Sequence, residues 1–355
     1  MKIVIDCRLW EEGGVGRYIR NLVSRLQKLD THNFYTLLTY GNPNIQINNS
    51  HFHVRSVSSR WHSLSEQTVF LYNLLKEQAD LVHFPYFSHP VLYNRPFVIT
   101  LHDITPFTHA TGQATTRHPL LYAMKKIGYR QTLMHALTRS KHVLVPTNAV
   151  AHDIRTMGTK TSITVTYEGV DESLIQARPI AVSSAKEPFL LYVGNFFPHK
   201  NISFLLTSYA KVPKAPKLIL VGPDDVFTQR MRSQAHMLNL ENRILFLHAV
   251  SDGQLRYLYS NAQALVFPSQ SEGFGLPVLE ASYFGCPLIL SSIASFKEIA
   301  VPGTTFFNLH NEESLMRVLE ESIQVKKTPY PDAYKKKFSF ETMAMKTLAI
   351  YNTSV

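Results

Sequence analysis

Two glutamates with seven residues between them, Glu272 and Glu280, bracket the stretch EGFGLPVLE. The apolar run Ala264–Phe267 ends at Pro268, the loop Ser269–Leu276 carries Gly273 and Gly275, and Pro277 suits the first turn of a helix over Pro277–Phe284. Glycines let a backbone approach a ligand closely and present its N–H groups. A helix N-terminus adds about half a positive charge and free amide donors, which favour phosphate. Glu280, read as lying on the first helical turn, could accept paired hydroxyls such as those of a ribose, and Glu272 points towards whatever the loop cradles. The plainer alternative is a strand–turn–helix whose glutamates only cap the helix.

Three further constellations stand just after apolar runs. Gly194–Asn201 (GNFFPHKN) puts Lys200 where a strand gives way to a helix, a position suited to a diphosphate or, more plainly, to an exposed helix start. Gly13–Arg17 (GGVGR) follows the first strand. It is not a dinucleotide fingerprint, because the third glycine position is Ile19, and no phosphate-loop G-x-x-x-x-G-K-[ST] occurs either. Leu101–Asp103 (LHD) puts His102 at a strand's carboxyl end, with Asp103 either orienting the imidazole or capping the next segment.

Such residues need elements to position them. Lys2–Cys7, Leu81–Phe84, Phe97–Leu101 and His142–Val145 read as strands buried on both faces, with helical patterns at Val15–Leu29 and Pro119–Thr138. The alternation restarts with strands Phe189–Val193, Lys217–Val221, Ile244–Phe246, Ala264–Phe267 and Pro287–Leu290, separated by the helical segments Ile202–Lys211, Thr228–Leu240, Asp252–Ser260 and Pro277–Phe284. Two α/β series predict two Rossmann-like, doubly wound parallel-sheet domains facing a cleft, with ligands beyond the strands' carboxyl ends. The expected division is 1–168, a linker at 169–187, a second domain at 188–338, and a helix at 339–355 returning to the first domain.

Composition narrows the classes. A chain of 355 residues with 45% hydrophobic and 17% charged residues is globular, not disordered. The net charge of +10 admits nucleic acid, a membrane surface or a phosphorylated substrate as partner, or a merely basic surface. No nucleic-acid-binding motif occurs. Cys7 and Cys286 form neither a disulfide framework nor a metal site, and fit a reducing compartment. MKIVIDCRLW lacks the apolar run of a signal peptide, so a cytoplasmic protein is expected. The basic segment 117–141 carries Lys125, Lys126, Arg130, Arg139 and Lys141 among Leu120, Leu121, Ile127, Leu133 and Leu137. It could touch the anionic inner face of a membrane peripherally, or pack on its own domain with a solvated basic face.

In this order the motifs resemble the retaining family 4 glycosyltransferases. Glu272 and Glu280 look like that family's E-x7-E signature, and the likeness extends through PSQSEGFGLPVLEASYFGCPLILSS. The resemblance implies the GT-B architecture, Glu280 on the donor ribose, and Glu272 near the reacting carbon of the transferred sugar. It puts the backbone of Gly273, Phe274, Gly275 and Leu276 against sugar and phosphate. Gly194–Asn201 is similar to the family's VG…P-x-K-N segment, with Lys200 as its phosphate-binding lysine. Several members carry Arg directly after the glycine, where this chain has Asn195. The GGVGR segment resembles the N-terminal glycine loop facing diphosphate and acceptor, through Gly14, Val15 and Arg17. His102 matches a histidine near the donor sugar. His248–Leu255 resembles the loop that embraces the base around Val250, with Leu255 following, and Tyr167–Asp171 the crossover between domains.

LHDITPF, GGVGRY and the P-x-K-N form look most like bacterial mannosyltransferases of surface-polysaccharide assembly. The implied donor is GDP-mannose, and the implied acceptor a saccharide or lipid-linked saccharide. UDP-glucose, UDP-N-acetylglucosamine and deoxysugar nucleotides are alternative donors. A non-catalytic nucleotide-sugar-binding subunit and an epimerase of the same architecture are alternative classes. No cofactor or metal is expected, since no Asp-x-Asp motif occurs.

Overall fold

The computed structural model describes residues 1–105, 119–321, 327 and 329–355, of which 119–126 by backbone alone. They divide into two compact units. Unit 1 holds the described residues up to Gly169 together with Lys337–Val355, and unit 2 those of Val170–Lys336.

Unit 1 is built on a seven-stranded, wholly parallel sheet. Its strands are β1 (Lys2–Asp6), β2 (Phe34–Tyr40), β3 (Phe52–Val57), β4 (Leu81–Phe84), β5 (Phe97–Thr100), β6 (His142–Val145) and β7 (Ile163–Val165). They lie side by side as β3-β2-β1-β4-β5-β6-β7. The chain therefore winds outward from β1 to β3, then starts again on the other side of β1 with β4. The reversal leaves a gap above the carboxyl ends of β1 and β4, where open α/β sheets bind ligands. The central strands are the apolar runs evident in the sequence. β2, β3 and β7 were not. In β2 the buried Tyr35, Thr36 and Thr39 break up the apolar run. β3 and β7 close the two edges of the sheet and are only part-buried.

Unit 2 repeats the winding with six parallel strands: β8 (Phe189–Val193), β9 (Lys217–Val221), β10 (Ile244–Leu247), β11 (Ala264–Phe267), β12 (Leu288–Ser291) and β13 (Thr305–Phe307). Their order is β10-β9-β8-β11-β12-β13, so the switch point falls between β8 and β11. Residues 170–187, expected as a linker, carry the short helix Glu172–Gln176 and pack within unit 2. The Arg256 guanidinium donates to the carbonyls of Ile175 (2.6 Å) and Ala177 (2.8 Å), and Ser173 Oγ donates to Asp252 (2.7 Å).

The helix Phe340–Thr353 belongs to unit 1. Ser339 caps it, and it packs along the helix Gly13–Leu29. Gly169 lies so close to its start that a Cβ there would sit 2.6 Å from Phe340 N.

Candidate active site

In unit 2 the loops after β8 and β11 leave neighbouring strands at the switch point, and Gln270 N donates to His199 O at 2.8 Å to join them. The first loop turns through Gly194 (φ 153°), runs into the single 3-10 turn Pro198–Lys200, and enters the helix Ile202–Ala210 through Asn201 in the left-handed region. Gly222, after β9, must be glycine for this path. A Cβ there would overlap the Gly194 carbonyl oxygen and stand 2.6 Å from the Phe196 ring.

The two loops bring Lys200 and Glu272 together. Lys200 Nζ donates to both carboxylate oxygens of Glu272 at 2.7 Å, with side chains only 14% and 9% exposed. Ser269 Oγ donates to Glu272 Oε1 (2.7 Å), and Ser291 Oγ donates to Ser269 O (2.6 Å), so β12 braces the loop. The buried Tyr192 hydroxyl donates to Asn195 O (2.6 Å). Burial, and then the Glu272 charge, push its pKa well above the usual phenol value. Charge-assisted, two-oxygen contacts of this kind hold both partners firmly.

The loop Gly273–Gly275 feeds the helix Leu276–Tyr283, which opens at Gly275 (φ 95°) with Pro277 in its first turn. Its N-terminal amides form the positive end expected beside a phosphate. Phe274 and Leu276 are buried, so what this loop offers a ligand is backbone. Glu280 differs from expectation: because the helix starts at Leu276, it lies in the second turn and caps nothing. It is 1% exposed, and Tyr259 OH donates to its Oε2 at 2.8 Å. Ala249 has the positive φ of 51°, a conformation that costs a non-glycine residue energy and clusters at ligand-contacting loops. Val250 follows, then the capping box of Ser251 and Gln254, and Leu255 is buried in the helix Asp252–Asn261.

In unit 1 the GGVGR segment is not a loop but the first turn of the helix Gly13–Leu29, and Glu12 before it makes no side-chain capping bond. Gly13 and Gly14 are exposed, Val15 and Arg17 half-buried, and the amides at this helix start stand beyond the carboxyl end of β1. Gly16 is required by crowding, since a Cβ would lie 2.5 Å from Trp10 O.

His102 follows β5. Its Nδ1 lies 3.1 Å from Glu168 Oε1 and its Nε2 3.1 Å from Pro85 O, while the Tyr18 ring meets it edge-on at 4.7 Å. Asp103 does not orient it: its carboxylate accepts from Thr105 N at 2.8 Å and caps the following segment. Behind them, Tyr18 OH meets Thr100 Oγ1 (3.0 Å), which meets His83 Nε2 (2.8 Å), and His83 Nδ1 meets Tyr351 OH (2.6 Å). Burial, with a lesser contribution from His102, lowers the His83 pKa to about 3.

Sequence reading missed Ser269, Tyr259 and Glu168 as the residues that orient Glu272, Glu280 and His102. Tyr259 and Glu168 stand on segments remote from their partners, and Ser269, though on the Glu272 loop, is one of two serines there with nothing to single it out. It also missed a buried cluster at the β1/β4 switch point. Arg8 pairs with Asp6 (2.8 and 2.7 Å) and Glu66 (2.7 Å), and Ser88 Oγ donates to the other Glu66 oxygen at 2.6 Å. An arginine directly after an apolar strand was the available cue.

Both cysteines are free and buried. Among the described residues, no group of three His, Cys, Asp or Glu side chains is arranged to hold a metal ion, and no helix is long and apolar enough to cross a membrane. Of the basic segment 117–141, residues 117–118 and the side chains of 119–126, including Lys125 and Lys126, lie outside the described residues. Further along, Ile127 is 61% exposed.

Residues 12–174 match the family model described as Glycosyltransferase Family 4, and residues 176–336 the one described as Glycosyl transferases group 1. The chain is 31% identical over 263 residues to the O-antigen chain mannosyltransferase RfbU of Salmonella typhimurium, covering 72% of this chain and 68% of that one. It is 28% identical over 303 residues to an O-antigen chain mannosyltransferase B of Escherichia coli, covering 78% and 75%. Among solved structures, a sucrose-phosphate synthase from Thermosynechococcus elongatus aligns with a TM-score of 0.77 at 19% identity, over 99% of this chain and 98% of that one.

Proposed function

We propose that this chain, which belongs to the family 4 glycosyltransferases and has their GT-B fold, moves mannose from GDP-mannose to a hydroxyl of a saccharide or lipid-linked saccharide with retention of configuration. That it is a hexosyltransferase follows from the family. The donor, the stereochemistry and the acceptor are our reading, and relatives named as O-antigen mannosyltransferases support it.

The observation that carries the reading is the Lys200–Glu272 pair under the helix start at Leu276, at the β8/β11 switch point. A cation and helix amides suit the diphosphate, and a carboxylate suits the positive charge that develops on the sugar. In the proposed step the bond between the anomeric carbon and the β-phosphate oxygen breaks. The acceptor oxygen bonds that carbon on the same face, and the departing phosphate takes the acceptor proton. Lys200, the amides of Gly273–Leu276 and Arg17 stabilise the leaving group. Glu272 faces the anomeric carbon, Glu280 holds the ribose, and the backbone at Val250 holds the base. Asn195 replaces a cation, so Lys200 carries more of the load. His102 contacts the sugar. We place the enzyme at the cytoplasmic face of a membrane, touching it through 117–141.

A thermal-shift panel of GDP, UDP, ADP and dTDP with their sugars tests the donor. GDP and GDP-mannose at tenfold excess over Kd should stabilise by about 1.4 kcal/mol. A shift with UDP compounds alone would move the reading to a UDP-sugar, and no shift with any member would overturn it.

A further inference from the structure

The cluster beneath the β1/β4 switch point supports something the transfer site does not use. His62, Tyr86 and Tyr129 are half-buried and gather over the buried Phe87, with ring centroids 4.8 Å (His62–Tyr129), 5.5 Å (His62–Tyr86), 5.1 Å (His62–Phe87) and 4.5 Å (Tyr86–Phe87). His62 has a left-handed backbone (φ 57°), unusual for a non-glycine. Its amide donates to Glu66 Oε2 at 3.2 Å. Glu66 is itself buried and opens a five-residue π-helical turn, Glu66–Phe70. Such turns concentrate at functional sites. The ion cluster Asp6–Arg8–Glu66 thus fixes the ring cluster from below.

Two features point to a ligand. Among the described residues the Tyr86 hydroxyl has no hydrogen-bond partner, and burial, followed by the charges of Asp103, Tyr129 and Glu66, raises its pKa. The platform also adjoins His102. Tyr86 follows Pro85, whose carbonyl faces His102 Nε2, and Asp103 follows His102 itself.

We propose that His62, Tyr86 and Tyr129 form a subsite for a neutral pyranose, the terminal sugar of the acceptor, stacked on the rings with its hydroxyls on Tyr86 Oη and Asp103. The apolar C–H face of a pyranose suits the electron-rich face of an aromatic ring. A few polar groups beside such rings fix a ligand's orientation. Glu66 is ion-paired with Arg8, which leaves the Asp103 carboxylate to accept hydroxyl donors and repel a phosphate, so the subsite reads the sugar and not a lipid diphosphate.

The inference rests on the transferase reading, and the experiment separates the two. Wild type, Tyr86→Ala, His62→Ala and Tyr86→Phe are assayed with a free oligosaccharide acceptor lacking any lipid diphosphate, alongside GDP-mannose binding and melting temperature. Wild type should use the free acceptor. Tyr86→Ala and His62→Ala should raise acceptor KM about tenfold or more, roughly 1.4 kcal/mol, with donor Kd unchanged. Tyr86→Phe, which keeps the ring, should recover most of the loss. If wild type binds no nucleotide sugar, the transferase reading fails. If it transfers sugar while both alanine variants keep wild-type acceptor KM, or if only diphosphate-bearing acceptors are used, the subsite is overturned. Should Tyr86→Ala not fold, Tyr86→Leu replaces it in the same comparison.

Discussion

Lys200 Nζ stands 2.7 Å from both carboxylate oxygens of Glu272, so the two charged groups of the candidate transfer site neutralise one another. A donor diphosphate must therefore share or replace Glu272 as the partner of Lys200. Lys200→Ala and Glu272→Ala should each lower kcat by roughly 10²–10³-fold, the cost of losing one charge-stabilising group. Lys200→Ala should also weaken GDP binding, whereas Glu272→Ala should leave it near wild type. Steady-state kinetics with calorimetric GDP binding reads the split, and equal effects on both quantities in both variants would contradict the assignment.

The same pair makes a prediction about stability. Either single variant leaves a charge of low exposure without its partner, and removing both leaves none. The double variant Lys200→Ala/Glu272→Ala should melt no lower than the less stable single variant. Thermal denaturation of the four proteins closes the cycle.

Glu280 is almost fully buried and held by Tyr259. Glu280→Ala should weaken nucleotide binding by about tenfold to a hundredfold, or roughly 1.4–2.8 kcal/mol. Tyr259→Phe, which removes the hydrogen bond to Oε2 and keeps the carboxylate, should cost less. Calorimetric Kd values for GDP decide it, and a Glu280→Ala protein that binds normally would remove this residue from the site.

Gly222 sits where a side chain would collide with the loop that carries Lys200. Gly222→Ala should destabilise unit 2 by about 1–3 kcal/mol and weaken donor binding with it, although residue 222 need not touch the ligand. Urea denaturation and GDP titration measure the two effects.

His83 is neutral in the folded protein, with its pKa lowered to about 3 by burial. Once unfolded it titrates near 6.5, so between those values the unfolded state binds the extra proton and folding weakens as pH falls. The loss approaches about 1.4 kcal/mol per pH unit below 6. Wild type should lose stability relative to His83→Gln between pH 7 and pH 5. A gap that does not change with pH would show that His83 is not the group responsible.

The sequence made much of this legible because parallel strands buried on both faces are continuous apolar runs. The loops of the candidate site sit at the ends of such runs, so β8 and β11 pointed directly to Lys200 and Glu272. Strands that meet solvent, such as β3 and β7, lost that signal, and hydroxyl-rich β2 disguised its burial. Helix starts misled by a residue or two, which moved Glu280 from the first turn to the second and turned the Gly13–Arg17 loop into helix. Partners remote in sequence were invisible. Nothing near His102 announces Glu168, 66 residues away, and of the two roles open to Asp103, orienting the imidazole or capping the next segment, the structure shows the cap.

The discontinuity of unit 1 also bears on how the protein is made. Residues 337–355 supply Tyr351 to His83 and the helix that covers Gly13–Leu29. The ribosome delivers them only after all of unit 2. Among the described residues unit 2 is one continuous stretch, Val170–Lys336, while the earlier-made half of unit 1 lacks the cover of its last helix until that stretch has been made. The first-made part of unit 1 is therefore completed only by the last-made residues of the chain, and a stall before residue 337 would leave the older half without Tyr351 and its covering helix.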